Sequence, residues 1–143
     1  MYQKYIKEIF NDWFKNAKID ENAVEQINKY LIRFEKLVIN GVPSGKKLGK
    51  TNLSNSVKKV LPGKLAKHAI NWKGKSFIKY DKDSIDITEK GRIFLASVLD
   101  YLATEIIELA GSFLYTKKTG RVVKLSNIHL AIKNDDELSQ KIN

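Results

Sequence analysis

The sequence lacks cysteine altogether, and its 143 residues include only two prolines, two histidines and eight glycines. Without cysteine there can be neither a disulfide framework nor a thiolate zinc site. No apolar run reaches the roughly 20 residues that a membrane-spanning helix needs. The first 13 residues mix charges among their apolar positions, which is not typical of a secretory signal. We therefore expect an intracellular, soluble chain that forms one ordinary domain or two very small ones.

The positive charge is distributed unevenly along the chain. Residues 1–80 contain 17 lysine and arginine residues against 6 aspartate and glutamate residues, a net charge of +11. Residues 81–143 contain 9 against 10, a net charge of −1. A strongly basic region favours a polyanionic partner such as nucleic acid. Surface lysine also serves solubility alone, so charge by itself leaves both interpretations open.

The spacing of apolar residues predicts an almost entirely helical chain. A short amphipathic helix is predicted from Tyr5 to Phe14. A long helix follows, capped by Asp20, with a stripe from Val24 to Val38 and a stop at Gly41-Val42-Pro43. Further helices are predicted over about 52–61, over 64–73 with a continuation towards Tyr80, over 88–115, and around 128–132 with Ser126 or Asn127 as its cap. Val122 and Val123 predict a short strand.

The order of short helix, basic loop, long helix, basic loop and short helix occurs nearly twice. The polar segment 81–87 separates the two occurrences. Neither half can bury the apolar stripe of its own long helix, so each half needs the other as a partner. We predict a first fold over residues 1–80, a linker over 81–87 and a second fold over 88–143.

The sequence offers little for catalysis. Residues 45–51, GKKLGKT, look like a phosphate-binding loop, but Ser44 stands where the first glycine of that motif is required. His68 and His129 have no evident ligand partner, and no pair of nucleophile and base stands out. We expect no enzyme activity, no cofactor and no metal.

Two segments of the second half carry a family resemblance. Residues 101–111, YLATEIIELAG, closely resemble the central helix of histone 2A, and residues 130–138, LAIKNDDEL, resemble its third helix and the acidic turn beyond. In the first half, residues 61–70, LPGKLAKHAI, look like the start of the carboxyl-terminal helix of histone 2B, whose end the segment finishing at Lys79-Tyr80 resembles. This order resembles the fused histone doublets of some large DNA viruses.

The resemblance implies an all-α fold in which two histone folds in one chain clasp as a pseudo-heterodimer, in a handshake. The second fold would lack its first helix, because residues 81–87 are too few to form it. The first loop of each fold would lie beside the second loop of the other, where basic side chains meet DNA phosphates without reading bases. The implied DNA-binding residues are Lys15, Lys18, Lys117, Lys118 and Arg121 at one end, and Lys46, Lys47 and Lys50 at the other, with Lys90 or Arg92 as further candidates.

The resemblance also implies an acidic patch that binds arginine-bearing chromatin proteins. Its six residues would be Asp100, Glu105, Glu108, Asp135, Asp136 and Glu137. A solvated helix face with a helix cap is the simpler alternative for about half of them. Lys64 and Trp72 stand where histone 2B has glutamates, so a smaller patch with a positive rim is expected.

The leading hypothesis is a DNA-packaging protein equivalent to a histone 2A and 2B dimer. It would bind double-stranded DNA without sequence preference, together with histones 3 and 4 or a fused equivalent. If the protein is viral, it would act in the host nucleus or in the viral factory and virion. Otherwise it would act in the nucleus. Because the docking extension and the basic tails are missing, a less stable particle is expected. The alternatives are a histone-fold subunit of a transcription regulator and a histone mimic that docks chromatin factors.

Overall fold

A computed structural model describes residues 1–112, 114 and 121–135, and this part of the chain is mostly helical. Its elements are α1 (Gln3–Trp13), β1 (Lys18–Ile19), α2 (Glu21–Asn40), α3 (Lys50–Val60), α4 (Gly63–Ile70), α5 (Glu89–Gly111), β2 (Val122–Val123) and α6 (Leu125–Asn134). The two strands have two residues each, so the predicted all-α class is confirmed.

The first long helix, α2, follows the prediction closely. The Val24 amide donates to the Asp20 carbonyl at 3.0 Å, so the helix begins just after the expected capping residue. It ends at Asn40, immediately before the segment Gly41-Val42-Pro43. Its apolar stripe is buried throughout: Val24, Ile27, Leu31, Phe34 and Val38 are each at most 2% exposed. Burial of this stripe, rather than intrinsic helix propensity, is what stabilises a helix of this kind.

The second long helix, α5, begins close to its predicted start at residue 88 and extends to Gly111. The predicted end near Tyr115 lies outside the described residues. At this end the aromatic ring of Phe14 packs directly on Gly111, where a larger side chain would collide with it. Its apolar face is buried, with the exception of the half-buried Leu109; the buried residues are Phe94, Leu95, Val98, Leu99, Leu102, Ile106 and Ala110.

The predicted continuation of the fourth helix towards Tyr80 is wrong. α4 ends at Ile70, and residues 71–80 are not helical. The amides of Phe77 and Ile78 donate instead to the Asp100 carboxylate, at 3.1 and 3.0 Å, so they are engaged outside any helical ladder. Gly74 lies under the indole of Trp72 and further weakens the segment as a helix.

The predicted cap of the last helix is also wrong. α6 begins at Leu125, with Lys124 as the capping residue, so Ser126 is already inside the helix. Asn127 is the third residue of α6, and its side-chain oxygen accepts a hydrogen bond from the Lys124 amide at 2.8 Å. A side chain at this position can satisfy the amide that precedes the helix, as in a capping box.

The described chain groups into two compact units. The first comprises residues 1–32 and the described residues from 102 onward, and is called the terminal unit; the second, residues 33–101, is called the central unit. Each unit contains chain from both sides of the segment 81–87, and the division of the sequence at that segment stays a prediction. The described segment between α4 and α5 contains no helix. A second fold without its first helix stays a prediction. In the part of the chain that is described, none of the helices combines the length and apolar character that a bilayer crossing requires.

Candidate nucleic-acid interface

In the terminal unit, the segment after α1 pairs with the segment before α6. Strands β1 and β2 run parallel, with Lys18 opposite Val122 and Ile19 opposite Val123. The Lys18 amide donates to the Arg121 carbonyl at 2.9 Å, and the Asp20 amide donates to the Val123 carbonyl at 2.9 Å. The pairing therefore holds the backbones of Lys18 and Arg121 side by side, and both side chains are exposed.

A third predicted basic residue joins this pair. Lys15 and Arg121 line the same concavity of about 200 Å³, together with the apolar side chains of Trp13, Phe14 and Leu114. The structure thus brings Lys15, Lys18 and Arg121 together in the terminal unit. That they bind DNA stays a prediction. Lys117 and Lys118 lie outside the described residues.

In the central unit, the loop before α3 meets the segment before α5. Leu48 and Ile87 form a parallel β-bridge, and the Thr88 amide donates to the Leu48 carbonyl at 3.1 Å. The Thr88 hydroxyl lies 3.5 Å from the same carbonyl and accepts the Gly91 amide at 3.0 Å. Thr88 therefore caps α5 and attaches its start to the basic loop.

The three lysines predicted for this end are exposed and belong to that loop and the helix after it. Lys46 follows a turn in which Gly45 has a φ of +80°, a conformation that favours glycine. The carbonyl of Lys47 accepts the side-chain amide of Asn52 at 2.8 Å, which orders the entry into α3. Lys50 is the first residue of α3, where the helix dipole adds to the attraction for anions.

Close approach of α5 to the basic loop depends on a glycine that sequence reasoning missed. A methyl group at Gly91 would lie 2.6 Å from the Leu48 carbonyl oxygen and 3.0 Å from the Ile87 side chain. Only a residue without a side chain fits here. A glycine in the first turn of a predicted helix was the available signal, because glycine in a helix usually has a packing reason.

Arg92, a further candidate for DNA contact, has a different role. Its guanidinium donates to the carbonyl oxygens of Tyr80, Lys82 and Ile85, at 3.4, 3.1 and 3.3 Å. Arg92 therefore ties the segment between α4 and α5 to the start of α5. Lys90, the other candidate, is exposed.

The prediction that Asp100 belongs to an exposed acidic face is wrong, because Asp100 is only 1% exposed. One of its carboxylate oxygens accepts the Phe77 and Ile78 amides. Its other oxygen is buried and has no hydrogen-bond partner among the described residues. Burial raises the pKa of Asp100 to about 6, against the lowering effect of the two backbone hydrogen bonds. The helical periodicity of α5 could not show that residues 77–78 cover this carboxylate.

The other predicted acidic residues are distributed as follows. Glu108 is exposed, whereas Glu105 and Asp135 are half-buried and each has an interaction partner. Asp135 directly follows α6, and Asp136 and Glu137 lie outside the described residues. Within the described ranges, no group of three or more side chains is arranged to hold a metal ion.

Comparison with the sequences of known proteins identifies the family of this chain. The chain is 35% identical to histone 2A-III of Volvox carteri over 103 residues, which cover 70% of this chain and 72% of the relative. The chain belongs to the histone 2A family. Shorter matches of 64 residues include a probable histone 2A.2 of Arabidopsis thaliana, 41% identical, and a histone H2AX of Tetrahymena pyriformis, 42% identical. These cover 45% of this chain and 48% and 46% of the relatives, so the chain spans about half their length. No family model matches the chain.

Membership of the histone 2A family agrees with the histone resemblance of the sequence. The resemblance of the first half to histone 2B stays a prediction, as does the likeness to viral doublets. The site residues that the described structure brings together are, in the terminal unit, Lys15, Lys18 and Arg121, and in the central unit, Lys46, Lys47 and Lys50.

Proposed function

We propose that this chain packages double-stranded DNA as a single-chain equivalent of a histone 2A and 2B dimer. It acts without sequence preference, in a nucleosome-like particle completed by histones 3 and 4 or by a fused equivalent. This is a structural role in chromatin and not an enzymatic one. Its place of action is the nucleus or, for a viral protein, either the host nucleus or the viral factory and virion.

The observation that carries the proposal is the presence of two parallel loop pairs, one in each unit. Each pair joins a segment of residues 1–80 to a segment beyond residue 80: Lys18–Ile19 with Val122–Val123, and Leu48 with Ile87. Two separate histone folds that clasp each other require this pairing of loops from different halves. Each pair also has exposed basic side chains beside it, and such clusters bind phosphates without reading bases.

A smaller acidic surface accompanies this function in the proposal. Glu105 and Glu108 of α5 would attract arginine-bearing chromatin proteins, with Asp135 after α6 and the adjoining Asp136 and Glu137. Asp100 contributes no surface charge because it is buried. We therefore expect arginine-rich peptides to depend on Glu108, the exposed member of the described set, more than on Asp100.

The direct experiment compares DNA affinity for two triple variants at several salt concentrations. One replaces Lys46, Lys47 and Lys50 by glutamine, the other Lys15, Lys18 and Arg121, and the control replaces the exposed Lys29, Lys58 and Lys59. Removal of one phosphate-binding side chain should reduce the slope of log affinity against log salt by about 0.9. We expect each loop variant to lower the slope by roughly 2 to 3, and the control to lower it by less than about 1.

Mixing the chain with histones 3 and 4 and a DNA fragment tests the partners. Co-migration as one particle, on fragments of unrelated sequence, is the expected result. A strong preference for one DNA sequence would favour a regulatory subunit instead. Binding of chromatin proteins with unchanged DNA affinity in both loop variants would favour a histone mimic and overturn the proposal.

A further inference from the structure

The central unit contains a concavity whose lining residues are unlike those of a phosphate-binding surface. It measures about 560 Å³ and lies where the first residues of α3, the end of α4 and the first turns of α5 meet. Its apolar lining consists of Ile70, Trp72, Ile93 and Phe94. Ile93 is 64% exposed, although it lies in a helix whose neighbouring Phe94 and Leu95 are buried. A ligand that covers such an exposed apolar side chain removes it from water, which lowers the free energy of the complex.

The rim of this concavity carries charge of one sign only. Lys50, Lys73 and Lys90 line it, all three exposed, and no carboxylate is among its described lining residues. Within the described chain, none of the three lysines forms an ion pair. The concavity therefore complements a ligand with several negative charges.

Trp72 lines the concavity and is held in place by neighbouring residues. Its indole ring packs edge-on against Tyr101, with ring centroids 5.5 Å apart, and covers Gly74. Its Nε1 is buried and has no hydrogen-bond partner among the described residues. The indole ring therefore offers the concavity a fixed apolar surface.

We propose that this concavity binds a short acidic peptide segment of a partner protein that carries one bulky apolar side chain. The apolar side chain covers Ile93 and packs beside Trp72 and Phe94, and its flanking carboxylates pair with Lys50, Lys73 and Lys90. A DNA backbone would use the lysines but not the apolar lining, so the combination favours a peptide over DNA. The site has the opposite polarity to the acidic surface proposed above and does not depend on it.

The test measures binding of two fluorescein-labelled synthetic peptides to the full chain by anisotropy, in about 0.1 M salt. Both contain six acidic residues, and one has a central phenylalanine where the other has alanine. Ile93→Ser should weaken binding of the phenylalanine peptide about fivefold and leave the alanine peptide unchanged, because only the former covers this side chain. Ile93 is exposed, so this variant keeps the fold.

Charge is tested with the double variant Lys73→Gln and Lys90→Gln, matched by Lys58→Gln and Lys59→Gln on the exposed side of α3. The first variant should bind both peptides about tenfold more weakly than the parent chain does, and the control should bind them less than twofold more weakly. Circular dichroism verifies that each variant is folded.

Two results would overturn the proposal. One is equal affinity for the two peptides with no effect of Ile93→Ser, which would indicate general attraction to lysine. The other is a loss of DNA affinity in the Lys73 and Lys90 variant without a loss of peptide affinity, which would assign the concavity to DNA. Lys50 belongs to both proposed sites and is left unchanged in this test. Neither DNA-loop variant changes Ile93, Lys73 or Lys90, so failure here leaves the packaging proposal standing.

Discussion

Each of the two units pairs two loop segments that are distant in the sequence, but different interactions hold the two pairs together. In the terminal unit, a parallel ladder joins the paired segments, and backbone hydrogen bonds of 2.9 Å flank it on both sides. In the central unit, a single bridge joins Leu48 and Ile87, and the contact is completed by the Thr88 cap and by the close approach at Gly91. The terminal pairing therefore depends on the backbone, and the central pairing on the identity of particular residues.

The two units also differ in the buried side chain that accepts backbone hydrogen bonds, which is neutral in one unit and ionisable in the other. In the terminal unit, the side chain of Asn28, 3% exposed, accepts the Tyr2 amide at 2.8 Å. In the central unit, Asp100 does the equivalent for Phe77 and Ile78. Asn28 is neutral at every pH, whereas Asp100 is an ionisable group under a burial penalty. Acidity should therefore affect the central unit more than the terminal unit.

The largest expected effect comes from the glycines at the two ends of α5. Gly91→Ala places a methyl group against the Leu48 carbonyl, and backbone must move, so we expect a loss of about 3 kcal/mol in the free energy of unfolding. Gly111→Ala meets only the Phe14 ring, which can rotate away, so the loss should be about 1 kcal/mol. Urea denaturation measures both.

Gly63→Ala is the matched control, because nothing lies within 4 Å of a methyl group there and the residue begins α4. It should be neutral or slightly stabilising. Amide hydrogen exchange shows which part of the chain is destabilised. For Gly91→Ala we expect faster exchange only within residues 33–101. Equal losses for Gly91→Ala and Gly111→Ala would contradict the contrast between the units.

The next effect concerns Asp100 and pH. Its pKa of about 6 in the folded chain exceeds the ordinary value of 3.8, so the folded state binds the proton more tightly. The stability due to that proton is complete below about pH 4 and is lost as the pH rises through about 6. Asp100→Asn removes this dependence, so the variant should gain roughly 2 to 3 kcal/mol relative to the parent chain between pH 4 and pH 7.

The reverse change in the terminal unit completes the test. Asn28→Asp introduces a carboxylate at a buried site, which should make the terminal unit less stable at pH 7 than at pH 4. Asp83→Asn, at an exposed carboxylate of the central unit, controls for the removal of one acidic group. A constant stability difference between Asp100→Asn and the parent chain over this pH range would refute the assigned role of burial.

A smaller effect is expected at Arg92, which has no counterpart among the described contacts of the terminal unit. Arg92→Met keeps much of the side-chain length but removes the donors to Tyr80, Lys82 and Ile85. We expect a loss of about 1 to 2 kcal/mol, because the side chain is only half-buried. Amide exchange at residues 80–88 should accelerate most, with little change at β1 and β2. Uniform acceleration in both units would count against a local tether.

The sequence alone determined much of this protein. Apolar spacing located the helices, because burial along one face requires that periodicity, and Gly41–Pro43 marked the end of α2 through backbone chemistry that needs no partner. The basic loops and the segments YLATEIIELAG and LAIKNDDEL were equally readable, since each is a local pattern.

Only the tertiary structure decided which groups meet across long separations in the chain. The end of α4 was misjudged because residues 77–78 pair with Asp100, which lies far from them in the sequence. The assignment of Asp100 to an exposed surface failed for the same reason, since residues 77–78 bury it without changing its place on α5. Local pattern determines helices and charge, whereas burial, close approach and cavities arise where distant segments pack together.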